Sequence, residues 1–226
     1  DINEEIDLAQ LEPLIAKPCS PGNVVPVREV QGMPIYQSYI GSSANPGYRD
    51  LAVAAQIVEG KQISANVSFD LNPSSRQVLE NLVRDGHLIS LIRAGGRIHQ
   101  AGCNGCIGMG QSPATDQISL RTVPRNFPGR SGTPEDQVYL VSPETAAASA
   151  LTGVITDPRE LLMDYPRIKD PEFPSLNRGV LEPPLAFKEA VNIELRKVAN
   201  IVSFPQFDQM PDSLKIPVLL KVNHDL

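Results

Sequence analysis

Three times between residues 35 and 153 the chain repeats one pattern: an apolar run, a capping residue, a proline, a helix-period stretch and a glycine. The first unit runs over residues 35–41, turns at Asn45-Pro46, and continues as a helix to about residue 59, closed by Gly60. The second runs over residues 65–71, turns at Asn72-Pro73, and continues to about residue 85, closed by Gly86. There Ser74 is an alternative cap with Gln77 three residues on. The third runs over residues 138–141, turns at Ser142-Pro143, and continues as an Ala-rich helix to residue 152, closed by Gly153. Asn or Ser accepts from unpaired helix N–H groups, proline is pre-set for the first helical position, and glycine adopts the left-handed conformation past the last one. Between the second and third units the pattern predicts a helix over 87–94 and strands over 97–100 and 118–123. Strands alternating with helices at this spacing predict a three-layer α/β/α domain with a mostly parallel sheet.

Such sheets gather ligand sites at the carboxyl ends of their strands, where loops meet helix N-termini. Three loops are expected on that edge: residues 41–45, residues 102–108, and the stretch after Val123. The middle one, Gly102-Cys103-Asn104-Gly105-Cys106-Ile107-Gly108, holds two of only three cysteines. A C-x-x-C pair can direct both thiolates at one soft metal centre, and zinc, iron–sulfur and dithiol redox sites all use it. The stretch after Val123 carries Arg125 and Arg130, five apart and held by Pro and Gly. Guanidinium forks pair bidentately with carboxylate or phosphate, so these two suit a multiply charged anion; the plainer alternative is a pair of solvated loop arginines.

Composition narrows the field. A net charge of −6 lacks the basic excess of a general nucleic-acid binder. No apolar run approaches the roughly 18–20 residues of a membrane helix. Three cysteines make no disulfide framework, which points to a reducing compartment, cytoplasm or mitochondrial matrix. Nine of the 21 prolines follow Gly153, where the sequence predicts an extended linker with one helix around residues 187–199. The expected divisions are a lead-in over 1–34, an α/β domain over 35–156, and a linker over 157–226 that enters a further domain. Without an initiating Met, and with a strand-like run over 216–222 followed by only four residues, the chain is expected to be a piece of a longer polypeptide.

Taken together, Gly41-Ser42-Ser43-Ala44-Asn45, Cys103-Asn104-Gly105-Cys106-Ile107-Gly108 and Arg125-Asn126-Phe127-Pro128-Gly129-Arg130 resemble, in order and spacing, the third domain of aconitases and the related isopropylmalate isomerases. Ser142-Pro143-Glu144 resembles the S-P-E that follows in that family, and the resemblance covers about residues 36–155. It implies a hydro-lyase in which three cysteines hold a [4Fe–4S] cluster whose remaining iron acts as a Lewis acid on the substrate hydroxyl. By that resemblance Cys103 and Cys106 are cluster ligands, and Arg125 and Arg130 bind substrate carboxylates. The catalytic acids and bases belong to domains outside this chain, so the chain alone is expected to be inactive.

Two departures stand out. The family's G-S-C-T-N has its cysteine where this chain has Ser43, and a neutral hydroxyl is a poor iron ligand beside thiolate. The Asn that precedes the first arginine in the family is Pro124 here. Cys19 is the remaining candidate for the third ligand, but it precedes a β-prone run over 24–30 that would put it on the opposite edge of a parallel sheet. Continuation past Gly153 favours a fused aconitase and hence citrate and isocitrate, with homocitrate or methylcitrate as alternatives. The expected partners are a di- or tricarboxylic acid and other domains of the same polypeptide, without membrane or nucleic acid. The competing reading is a relative that binds carboxylates, or RNA, without a standard cluster.

Overall fold

The computed structural model describes residues 7–42, 47–171, 174–176, 178–194, 197, 199, 201–202, 204–213 and 215–217. The chain divides into two units, Asp1–Arg178 and Gly179–Leu226. Residues 14–34 and 154–176 pack within the first unit.

The first unit is a seven-stranded sheet of β1 (Leu14–Ala16), β2 (Val24–Pro26), β3 (Gln37–Gly41), β4 (Ser68–Asn72), β5 (Arg97–Ile98), β6 (Ile118–Arg121) and β7 (Gln137–Leu140). The spatial order is β2-β1-β7-β6-β3-β4-β5. Five strands, from β7 to β5, are parallel, and the β1–β2 hairpin adds two antiparallel strands beside β7. The mostly parallel α/β sheet is therefore the one the strand–helix spacing predicts.

Four helices lie on it: α1 (Tyr48–Val58), α2 (Arg76–Arg84), α3 (His87–Arg93) and α4 (Pro143–Thr152). They pack on one another, α1 touching each of the others, over the sheet face that carries Ile40, Phe69, Leu71 and Leu120. The handedness of parallel crossovers explains this single layer. From β3 to β4 to β5 the chain moves one way and lays α1, α2 and α3 on one face. It then returns past β3 to β6 and on to β7, so the connections over 99–117 and 122–136 fall on the opposite face. Those two connections contain one short 3-10 turn, Gly105–Ile107, and no α-helix. The second covering layer is made of loops.

Local signals account for the helix ends. Ser142 accepts from the backbone N–H of Thr145 at 3.2 Å, Pro143 opens α4, and Gly153 closes it at φ +82°. In the second unit of the pattern the cap is Ser75, one past the alternative at Ser74, and its hydroxyl accepts from Val78 N–H at 3.2 Å. The cap expected at Asn45-Pro46 lies outside the described residues; α1 begins after Gly47. His87 both follows α2 and opens α3, so the favourable dipole of the first helix end is offset by the second. Burial holds its pKa below the usual value.

In Gly179–Leu226 the helix expected over 187–199 is limited, among the described residues, to α5 (Phe187–Ala190) after a 3-10 turn at Arg178–Val180. Residues 218–222 of the strand-like run lie outside the described residues, and residues 216–217 are not strand. No helix of the described residues is long and apolar enough to cross a membrane.

Candidate functional site

The chain reverses direction at β3: β4 pairs on one side of it, and β6, reached only after β5, pairs on the other. A crevice outside the carboxyl ends of two such strands is where open α/β sheets bind ligands. The loop over 102–108 is folded into this crevice. Its anchors come from strand ends: Gly102 N–H donates to Pro73 O at 3.0 Å and Gly105 N–H to Asn72 Oδ1 at 3.3 Å. Asn72, buried at the end of β4, also accepts from the Tyr39 hydroxyl at 3.1 Å and donates to Gln100 O at 2.8 Å.

Two glycines are required by this packing. Gly41, at φ +136°, ends β3, and a Cβ there would lie 2.0 Å from the Asn72 carbonyl oxygen. Gly108, at φ +77°, closes the 3-10 turn, and its Cβ would lie 2.1 Å from Ser131 O. No L side chain fits either place without moving backbone. Ser42 follows Gly41 with φ +137°, a strained value for a non-glycine residue.

The site residues converge unevenly. Cys103, exposed, and Cys106, buried, have their Sγ atoms 3.3 Å apart. The Ser42 hydroxyl lies 3.9 Å from Cys103 Sγ, and Arg130 Nη2 lies 3.9 Å from Cys106 Sγ. Ser131, beside Arg130, donates to Cys106 O at 3.2 Å, tying the 122–136 connection to the cysteine loop. Arg125 is not part of this cluster. Its neighbour Asn126 turns inward, donating to Lys17 O at 2.9 Å and Val138 O at 3.1 Å, so Arg125 projects outward, exposed and without an ion pair among the described residues. Cys19 sits in the turn after β1. Since β1 runs antiparallel to β7 with Ala16 beside Leu140, that turn lies toward the amino edge of the sheet, away from the site. Ser43 lies outside the described residues.

Beneath the loop lies a polar network that the motifs do not announce. The sheet face toward the loops carries Gln37, Tyr39, Asp70, Asn72, Ser119 and Arg121, all buried. Asp70 accepts from Gln37 Nε2 at 3.1 Å and Ser68 Oγ at 2.8 Å, and pairs with His99 Nε2 at 2.8 Å. His99 thus anchors to a carboxylate and stacks on Tyr39, ring centroids 5.5 Å apart. Burial pushes the Tyr39 hydroxyl up to about 12, against the lowering pull of Arg121. Arg121 itself is fully buried, and burial brings it down to about 10, still protonated at neutral pH. Polar residues at alternate positions in three strands were the available sequence signal; read one strand at a time, they look like a solvent-facing side.

The donor set can be compared with the implied cluster. Among the described residues no group of three or more His, Cys, Asp or Glu side chains could hold a metal ion. Cys103 and Cys106 supply two thiolates, one short of a three-cysteine site, and the sequence has serine at position 43. Two positions fit and the third does not.

The family described as the aconitase family (aconitate hydratase) matches residues 28–153. The chain is 48% identical over 159 residues to the 3-isopropylmalate dehydratase large subunit 1 of Methanopyrus kandleri, covering 70% of this chain and 38% of that protein. It is 44% identical over 155 residues to the corresponding large subunit 2 of Pyrococcus furiosus, covering 68% and 40%. It is 40% identical over 158 residues to the homoaconitase large subunit of Thermus thermophilus, covering 70% and 38%. The chain therefore spans about two fifths of the length of these relatives. These relatives are named as 3-isopropylmalate dehydratases and a homoaconitase, whereas the sequence led first to citrate and isocitrate.

Proposed function

The chain belongs to the aconitase family, and from that membership we propose that it forms the cysteine-loop and carboxylate-binding part of a hydro-lyase. The proposed substrates are hydroxy acids of the 3-isopropylmalate or homocitrate type, and the reaction moves a hydroxyl between adjacent carbons through an unsaturated intermediate. The observation that carries this reading is the meeting of Cys103, Cys106 and Arg130 at the β3/β6 crevice. The names of the relatives support the substrate class, and their designation as large subunits supports a smaller companion polypeptide. The chemistry at the loop is that of reduced thiols, so the protein works in a reducing compartment.

The thiolate set of this chain is one short of a three-cysteine cluster site. The roles of this chain's own residues are binding and orientation. Arg130 sits against Cys106 and presents its remaining donors to a substrate carboxylate beside the loop. Arg125, exposed and without an ion pair among the described residues, reaches a second carboxylate from outside the crevice. Ser42 lines the wall facing Cys103.

The test uses the full-length protein, reconstituted anaerobically with iron and sulfide and mixed with its small-subunit companion. Expected are hydration and dehydration activity on 3-isopropylmalate or homocitrate exceeding that on citrate, and iron and sulfide bound in step. Absence of turnover on all three acids overturns the reading. The serine at position 43 favours one alternative, a carboxylate-binding relative without turnover; calorimetric binding of the acids to iron-free protein, with no reaction, would establish it.

A further inference from the structure

Among the described residues, one of the largest fully buried side chains is a cation, Arg121, at the carboxyl end of β6. Its guanidinium has five N–H groups, and four contacts are visible. Nε donates to Ser119 Oγ at 3.0 Å and Nη2 to Gln37 Oε1 at 2.8 Å, both on the sheet. Nη1 donates to Gly105 O at 2.5 Å and Nη2 also to Gln111 O at 2.6 Å, both on the connection that carries the cysteines. The plane lies over the Tyr39 ring, 4.7 Å from its centroid. One rigid fork therefore grips the sheet with one set of donors and the loop with the other, at points six residues apart.

Nothing in the stability of the sheet calls for this arrangement. Among the described residues no carboxylate stands within salt-bridge distance of Arg121; the nearest acid in the network, Asp70, is reached through Gln37. A buried charge without a counter-ion costs several kcal/mol relative to apolar packing of similar volume. Neutral acceptors fill its sheet side, and its positive charge sits directly under a loop bearing two thiols. Lysine could supply the charge but not the fork, since its ammonium is a point donor.

We propose that Arg121 is a positioning residue for the cysteine loop, holding the carbonyls of Gly105 and Gln111 so that Cys103 and Cys106 stand ready to grip one centre. The inference rests on the preceding reading only in taking the loop as the place where a thiophilic centre binds. Arg121 touches neither thiol within hydrogen-bond reach and acts through the backbone on either side of Cys106.

The test is made on the full-length, metal-free, reduced protein with phenylarsine oxide, which binds two neighbouring thiols together with release of one water. The affinity that Cys103→Ser abolishes is the one assigned to the loop. Arg121→Met is expected to weaken that affinity by about tenfold or more, and Arg121→Lys by about threefold, retaining charge while losing the second carbonyl. Leu91→Ala, a buried helix residue far from the loop, serves as the stability control and is expected to bind as the parent does. If Arg121→Met does not fold, Arg121→Lys decides. Folded Arg121 variants with parental affinity overturn the proposal, as does an equal loss in Leu91→Ala. Iron and sulfide content is measured on the same proteins. A parent that takes up no iron while the arsenical series behaves as expected counts against the hydro-lyase reading and leaves the role of Arg121 standing.

Discussion

On the face of the sheet that meets the helices, Ile40, Phe69, Leu71 and Leu120 are buried with nothing to bond. On the other face Gln37, Tyr39, Asp70, Ser119 and Arg121 are as deeply buried, and each is hydrogen-bonded. The same strands supply both sets at alternate positions. The first face gains from removing hydrocarbon from water, wherever neighbours can close on it. The second repays its desolvation only if every donor and acceptor finds its partner, so it tolerates one arrangement of the loops above it. The helix face makes the fold stable, and the loop face makes the site specific.

Substitutions can break that contrast. The largest loss of stability is expected on the helix face: Phe69→Ala removes a ring buried to 1% exposure and costs about 3–5 kcal/mol in denaturant unfolding. If thiol-pair binding by molecules that remain folded also collapses, the faces are not separable. Gly108→Ala should cost less, about 1–3 kcal/mol, because strain at φ +77° is relieved by moving the loop away from Ser131 O. Yet it should abolish arsenical binding at Cys103 and Cys106. Retained binding would mean that the glycine is not what seats the loop.

Two buried carboxylates give a smaller comparison, by pH. Hydrogen bonds from Arg159 hold the Asp157 carboxyl below its usual 3.8, so its stabilisation is present above that value and is lost as pH falls through the folded pKa. Burial raises the Asp136 carboxyl, so its ionised form weakens the fold at neutral pH and the penalty lifts as pH falls through the raised value. Asp157→Asn should flatten the acid-side loss in a urea–pH series, and Asp136→Asn should deepen it. Slopes of the same sign would refute the assignment. The smallest expected effect on stability is that of Arg125→Ala, within about 0.5 kcal/mol. In the full-length protein the same change should raise KM for the carboxylic acid. An unchanged KM would place the second carboxylate elsewhere.

Much of the helix face was legible in the sequence because its rules are local. Ser142, Pro143 and Gly153 write the ends of α4 without help from distant residues. Val83, an apolar residue next to Leu82 on α2, is an exception: it is 57% exposed, because α2 leans on α1 and α3 with Leu82 inward. The site was legible where a motif carries its chemistry in adjacent residues, as Cys103 and Cys106 do. It was not legible where partners are far apart in sequence. Arg121 bonds to positions 37, 105, 111 and 119, and no window of the chain displays that set. Nor could Arg125 and Arg130 be separated by spacing alone, since inward anchoring of Asn126 is what sends them different ways.

The flanks of the sheet have a consequence for solubility. A parallel sheet ends in rows of unpaired N–H and C=O groups that invite another chain to add itself. Here β7 is closed off by the β1–β2 hairpin, whose outer strand ends in Pro26 and runs straight into a 3-10 turn. On the far side β5 offers only two residues, one of them the charged Arg97. Neither flank presents a template long enough for strand addition, so the sheet resists growth into fibrils through its own borders.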